Sequence, residues 1–254
     1  MPKLSAVIIT YNEEAFIGKC LDSIEGIADE IVVVDSFSTD ATEEICNRNN
    51  VRFIKHEFEG YRDQKNYAIL QATYKNILSL DADEALSDEL RRSILEIKDK
   101  WDYAGYYFNR RNNYCGTWIR HCEWYPDRQL RLFHTDDGKW GELNLHEKFI
   151  LSHNVSIGRL NGDLLHWPFI SVQDHIDKMN KYSQIGAEEF YKAGRKANLF
   201  TPHIHFIWGF FRSYILNGGF LDGQNGYLIC SIYAKSTYNK YRKLRFLNKH
   251  HVKK

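Results

Sequence analysis

Asp81-Ala82-Asp83 follows directly on the apolar run 77–80, so two carboxylates stand one residue apart at the end of what reads as a buried strand. In an open α/β sheet, the carboxyl ends of the strands are where ligands bind. Hard divalent cations such as Mg²⁺ or Mn²⁺ are held by one or two carboxylates, with phosphate oxygens and water completing the shell. The pair points to a cation–diphosphate site; the alternative is a plain turn ahead of a helix starting at Ser87. With a nucleoside diphosphate as ligand, other polar residues at strand ends acquire matching tasks. Asp83 would hold the cation and Asp81 would lie by the ribose. Asp35, which ends the run 30–34, would accept a hydrogen bond from a base N–H, and Lys65 would oppose phosphate charge. His166 is a further candidate metal ligand, or a structural residue before Trp167-Pro168. An attacking acceptor hydroxyl would need a general base, for which Glu147 and Asp127 both qualify. Trp118, Trp124, Tyr125 and Trp140 would form either a sugar platform or core.

These residues need a sheet to bring them together. Segments 4–10 (LSAVIIT), 30–35 (EIVVVD), 51–55 and 77–80 read as buried strands. Helices alternate with them. One is capped by Asn12 and buries Phe16, Ile17, Cys20, Leu21 and Ile24. Another begins at Asp40 with Glu43 as its box partner, and others span 61–72 and 87–99. The alternation predicts an α/β fold with a mainly parallel, doubly wound sheet. It sets residues 10–12, Asp35 and the Asp81–Asp83 pair on one edge. Segments 103–109, 113–120 and 128–134 predict antiparallel or mixed strands, with turns at Asn112-Asn113 and Asp136-Asp137-Gly138. A short strand is expected over 163–167. A helix capped by Ser171 and Asp174 is expected to about Ala193, with Val172, Ile176, Met179, Tyr182 and Ile185 on its apolar face. The cluster of Gly, Lys, Asn, Thr and Pro over 194–202 suggests a boundary between a domain at 1–195 and a helical extension at 196–254.

Composition narrows the function classes. A net charge of +1 over 254 residues gives no electrostatic ground for nucleic-acid binding, and 43% hydrophobic content supports a real core. Glycine patterns for dinucleotides, P-loops and hydrolase elbows are absent: Thr10-Tyr11-Asn12-Glu13 stands where the first would lie. The five cysteines show no zinc or C-x-x-C spacing, which fits a reducing cytoplasm. No signal peptide and no apolar run of about 18 residues is expected. Residues 199–211 carry no Lys, Arg, Asp or Glu, and 235–254 hold eight Lys or Arg and no acid. That combination reads either as a helical hairpin packed on the domain or as an in-plane pair on an anionic membrane surface.

Eight segments together resemble family 2 glycosyltransferases of the GT-A fold, and within them the lipopolysaccharide core β-1,4-glucosyltransferase subgroup. They are VIITYNEE (7–14), EIVVVDSFSTDAT (30–42), EGYRDQKNYA (59–68), LSLDADE (78–84), RHCEWYPDRQLRLF (120–133), LHEK (145–148), GDLLHWPFIS (162–171) and GFLDGQNGY (219–227). The resemblance implies inverting transfer from a UDP-sugar, with glucose favoured, to a lipopolysaccharide-core or other lipid-linked saccharide, assisted by Mg²⁺ or Mn²⁺. It implies a peripheral place on the inner face of the cytoplasmic membrane. By position, Thr10, Tyr11 and Glu13 would line the nucleotide pocket, Asp35 would meet the base, and Lys65 would lie beside the diphosphate. Asp81 would meet the ribose, Asp83 the metal, and Glu147 rather than Asp127 would be the base. Cys122 and Glu123 depart from the glycines common in the subgroup, and the Trp167-Pro168 that follows His166 replaces a tyrosine-containing stretch. Rival expectations are a sugar-1-phosphate nucleotidyltransferase, whose glycine-rich segment is missing here, and a non-catalytic nucleotide-sugar-binding protein.

Overall fold

The computed structural model describes residues 2–141, 147–152 and 155–250. The chain packs as two compact units, residues 1–111 with 127–167, and residues 112–126 with 168–254. This division by packing falls elsewhere than the 194–202 boundary expected above.

In the first unit, β1 (Leu4–Thr10), β2 (Glu30–Asp35), β3 (Arg52–Lys55) and β4 (Asn76–Asp81) pair in parallel in the order β3-β2-β1-β4. The helices α1 (Ile17–Ile24), α2 (Thr42–Arg48) and α3 (Tyr61–Gln71) connect them. Alternate strand residues serve opposite faces. Ala6 and Ile8 join α1 in one core, while Val7, Ile9 and Ile77 join Ala68 of α3 in the other. The chain moves outward from β1 to β3, then returns to β4 on the other side of β1. That reversal is a topological switch point, and it opens a crevice beyond the carboxyl ends of β1 and β4.

Past β4 the sheet changes character. Its further strands are β5 (Glu84–Leu86), β6 (Gly105–Tyr114), β7 (Thr117–Trp118), β8 (Asp127–His134) and β11 (Ile157–Phe169), with α4 (Asp88–Lys98) following β5. β8 pairs antiparallel with β4 and β6, and β5 antiparallel with β11. The nine-stranded sheet is therefore mixed: parallel over β1–β4, as the strand–helix alternation predicts, and antiparallel where β8 meets β4 and β6 and where β5 meets β11, in the region expected to be antiparallel or mixed. A separate hairpin, β9 (Gly138–Gly141) with β10 (Lys148–Leu151), packs through Trp140 and Phe149 onto Phe133.

Several local expectations are corrected. Asn12 is no helix cap: it adopts a left-handed φ of 55°, and α1 begins only at Ile17. The turn expected at Asn112-Asn113 lies within β6; the chain reverses at Cys115-Gly116, where the Asn113 side chain accepts from Gly116 N at 2.9 Å. The short strand at 163–167 is the end of the 13-residue β11. Gly162 takes a φ of +90° there, and a Cβ would meet the Leu90 nitrogen at 2.2 Å. The helix expected from Ser87 is α4, and Ser87 caps it, accepting from Leu90 N.

The second unit holds α5 (Val172–Lys192), α6 (Thr201–Phe211), a π-helical segment Arg212–Leu216 and α7 (Gly223–His250). Ser171 and Asp174 cap α5 reciprocally, as expected. Its buried face, however, is His175, Ser183 and Ala187, while Tyr182 is exposed. Among the described residues no helix is long and apolar enough to cross a membrane.

His175 is buried against Phe169, ring centroids 4.2 Å apart, and its Nδ1 lies 3.1 Å from the Tyr114 hydroxyl. Burial pulls its pKa down to about 4. The folded value is below the unfolded one, so the unfolded chain binds the additional proton as pH falls from 6.5 towards 4. Stability should be complete above that window and drop by about 3 kcal/mol across it. His175→Asn should flatten this slope in urea unfolding compared at the two ends of the window.

Candidate functional site

The loops after β1 and β2 are stitched together at the switch point. Ser38 Oγ accepts from Asn12 N at 2.8 Å, and Asn12 Oδ1 accepts from Thr39 N at 2.8 Å. Thr42 Oγ1 accepts from Glu13 N at 2.9 Å, Asp40 from Glu14 N at 3.0 Å, and Glu14 from Ala41 N at 2.9 Å. This explains the residue types of TYNEE and DSFSTDAT: each short polar side chain satisfies a backbone donor that the crossing loops leave open. Asp35 is fully buried beneath them, its carboxylate accepting from Ser38 N at 2.8 Å and from the Ser38 hydroxyl. Thr10 lies beside it in the strand register and is buried, while Tyr11 is 57% exposed on the loop. Glu13 lies at the foot of α1, its carbonyl accepting from Phe16 and Ile17.

The residues from β4, α3, β8 and the β9–β10 hairpin form one charge lattice. Lys65 is almost wholly buried, with its ammonium 2.9 Å from Asp81 Oδ1 and 3.0 Å from Glu147 Oε1. Arg131, also buried, places Nη2 2.8 Å from Asp81 Oδ2 and 3.0 Å from Glu84 Oε1. Glu84 accepts from Asp81 N through its other oxygen at 3.0 Å. Arg110 lies 3.3 Å from Glu84 and 2.8 Å from Asp127, whose second oxygen accepts from Gln129 at 2.7 Å. The Trp140 ring supports both cations, 4.7 Å from the Lys65 ammonium and 5.4 Å from the Arg131 guanidinium. Asn66 fixes that ring by pairing its amide with the Trp140 backbone at both ends, 3.1 Å each.

Burial alone would push the Asp81 carboxyl up. Arg131 and Lys65 outweigh it and hold the group well below the usual carboxylate range. Burial works against the Arg131 charge too, and Asp81 and Glu84 more than offset it, raising its pKa. Asp81 is thus a neutralised anion with both oxygens engaged by cations, a poor ligand for a metal.

Asp83 differs. Its Oδ2 lies 3.3 Å from His166 Nε2, and no Lys or Arg pairs with it among the described residues. The β5–β11 ladder makes this meeting, pairing His166 with Glu84 while Trp167 N donates to the Asp83 carbonyl at 3.0 Å. Among the described residues no group of three His, Cys, Asp or Glu side chains forms a closed metal cage. A carboxylate and an imidazole at the rim, both partly exposed, nevertheless fit Mg²⁺ or Mn²⁺ in a site that phosphate oxygens and water complete.

The structure therefore brings together Asp81, Lys65 and Glu147, and separately Asp83 with His166. Asp127 belongs to the outer end of the lattice, its oxygens taken by Arg110 and Gln129. Glu147 Oε2 makes no hydrogen bond to a described residue. Of the expected aromatic platform, Trp140 lies beneath Lys65, and Trp124 packs against Tyr114 in the second unit. His146, next to Glu147, lies outside the described residues.

Residues 5–151 match the family described as "Glycosyl transferase family 2". The chain is 32% identical to the lipopolysaccharide core biosynthesis glycosyltransferase LpsC of Rhizobium meliloti, over 95% of this chain and 94% of that protein. It is 30% identical to the uncharacterized glycosyltransferase RT0209 of Rickettsia typhi, over 98% and 88%. Among solved structures, S. aureus TarS 1–349 in complex with UDP aligns at 18% identity and a TM-score of 0.49, covering 98% of this chain and 92% of that one.

Sequence reasoning missed Glu84, Arg110 and Arg131. The available signal was an arginine inside the apolar run of β8, Leu130-Arg131-Leu132-Phe133, where an unpaired charge would be very costly. Arg131→Met should leave Asp81 to Lys65 alone and Glu84 to the more distant Arg110 alone, and destabilise the chain by about 3–5 kcal/mol in urea unfolding. A loss below about 1 kcal/mol would mean that the lattice is solvated.

Proposed function

This chain belongs to glycosyl transferase family 2, and from that membership we propose that it is an inverting transferase moving a hexose from a UDP-sugar to a saccharide acceptor. The observation that carries the reading is the meeting of Lys65, Asp81 and Glu147 at the sheet's switch point, one residue short of the Asp83–His166 pair. Glucose is the sugar we favour. The acceptor is a lipopolysaccharide-core or other lipid-linked saccharide, met at the inner face of the cytoplasmic membrane. Likeness to LpsC along nearly the whole of both chains supports that acceptor class.

In this reading, Thr10, Tyr11 and Glu13 line the nucleotide pocket. Asp35, which we assign to the base, is buried in this structure and holds the Ser36–Asp40 loop through Ser38. Asp81, fixed by two cations, accepts from a ribose hydroxyl. Asp83 and His166 hold a divalent cation, which when bound supplies Lewis-acid neutralisation of the departing diphosphate. Lys65 lies beside that diphosphate and fixes Glu147 through Oε1. Glu147 Oε2, which no described residue engages, takes the proton from the acceptor hydroxyl as its oxygen attacks the anomeric carbon. The bond from that carbon to the diphosphate oxygen breaks as the new one forms, its electron pair leaving with UDP, so configuration inverts in a single displacement.

Two outcomes test these roles. Asp83→Ala should lower turnover of the UDP-sugar by about 10²-fold or more and abolish the Mn²⁺ dependence of UDP binding in calorimetry. Glu147→Gln should keep UDP affinity within a few-fold and cut transfer by about 10²–10⁴-fold. Retention of rate in Glu147→Gln, with loss in Asp127→Asn, would move the base to Asp127.

A further inference from the structure

The helices of the second unit bury the wrong side chains for a protein that meets only water. On α6 the side turned inward carries Pro202, His205, Gly209 and, just beyond the helix, Ser213. His205 stacks on Tyr241 of α7 at 4.0 Å, and a Cβ on Gly209 would reach Tyr233 of α7 at 3.7 Å. The opposite side carries Phe200, Ile204, Ile207, Trp208, Phe211 and Ile215, all exposed, with Phe200 and Ile207 each 67% accessible. At 100° per residue these six fall within a stripe about 100° wide. Water drives such a stripe inward; here it faces out.

The rest of the unit follows the same rule. α5 buries His175, Ser183 and Ala187, and α7 buries Gly226, Cys230, Ala234 and Ser236 alongside Ile229 and Leu244. Ser236 donates to the Met179 carbonyl across the α5–α7 contact at 3.0 Å. Small and polar residues between helices, with apolar residues outside, are the packing of helices whose surroundings are lipid. The stripe spans too few residues to cross a bilayer, so the helix would lie in the plane of the interface.

Charge selects the occupant. Between residues 191 and 221 there is no Asp or Glu, while Lys192, Arg195 and Lys196 are present beside Arg212, which pairs with Glu123 at 2.5 Å. A second copy would meet this patch with the same patch, because a two-fold interface pairs a surface with itself. Cations would then face cations. An anionic lipid surface instead complements them, and exposed Trp208 and Phe200 suit the headgroup boundary.

We propose that the outward stripe of α6 is an in-plane docking surface for an anionic phospholipid bilayer. The proposal deepens the membrane-side placement given above and rests on it for its biological sense. Its test involves no sugar transfer, so the two can fail separately.

The full chain should co-sediment with vesicles of phosphatidylcholine mixed with phosphatidylglycerol at low salt, and much less with phosphatidylcholine alone. Ile207→Gln combined with Phe211→Gln changes only exposed positions and should keep the parent's circular dichroism and UDP binding. It should lower vesicle partitioning by about tenfold or more. Lys192→Glu with Lys196→Glu should reduce binding to the anionic vesicles alone. Failure of the parent chain to bind, or equal binding by the glutamine variant, would overturn the proposal. So would light scattering that shows a dimer which the glutamine variant splits into monomers, since the stripe would then be covered by a second copy.

Discussion

Two carboxylates, Asp81 and Glu84, lie inside the sheet edge, and the site depends on their being neutralised there. Taking such charges out of water is costly unless cations and hydrogen bonds meet them in good geometry. Arg131 meets both, Lys65 meets Asp81, and the Asp81 backbone N–H donates to Glu84. The outward ends of the same lattice carry Glu147 on one side and Asp127 on the other. Among the described residues Glu147 has one oxygen fixed and the other unengaged, the pre-organised arrangement that proton transfer needs, whereas both oxygens of Asp127 are taken.

The backbone explains why the lattice sits where it does. Reversal of strand order between β1 and β4 leaves a crevice that no crossover fills. β8 then runs antiparallel against β4 and brings Arg131 to the α3 side of the sheet, the side Phe133 shares two residues on. The small β9–β10 hairpin closes that side. Its Phe149 stacks on Phe133 and its Trp140 meets Phe133 edge-on, so apolar packing fixes the ring on which two cations rest. Asp83 lies outside this enclosure, next to His166, which leaves its charge available to a ligand.

How much of this was legible depends on which residues declare their environment. β1, β2 and β4 are largely buried on both faces, and continuous apolar runs such as AVII and IVVV mark them plainly. The D-x-D, Lys65 and Glu147 could be singled out because their types carry chemistry, and family resemblance ranked Glu147 above Asp127. The antiparallel half was harder to read. Asn112 and Asn113 look like a turn but are buried in β6, where Trp124 O and Gly116 N satisfy their side chains. Gly162 and Pro168 hide the length of β11. Glu84 and Arg110 were passed over, because their partners come from strands that are distant in sequence. The α5 face was misjudged for a different reason: apolar spacing assumes burial from water, and α5 buries His175, Ser183 and Ala187 instead.

The central claim is that Lys65 and Glu147 work as one unit, the ammonium holding the carboxylate that takes the proton. A double-mutant cycle on turnover of the UDP-sugar tests this most directly, using Lys65→Met, Glu147→Gln and the pair combined. Residues that act as a unit lose their effect together, so the double variant should be no more than about threefold slower than the slower single variant. Losses that multiply, with each substitution costing its full factor in the presence of the other, would show that the two side chains act independently and would contradict the account.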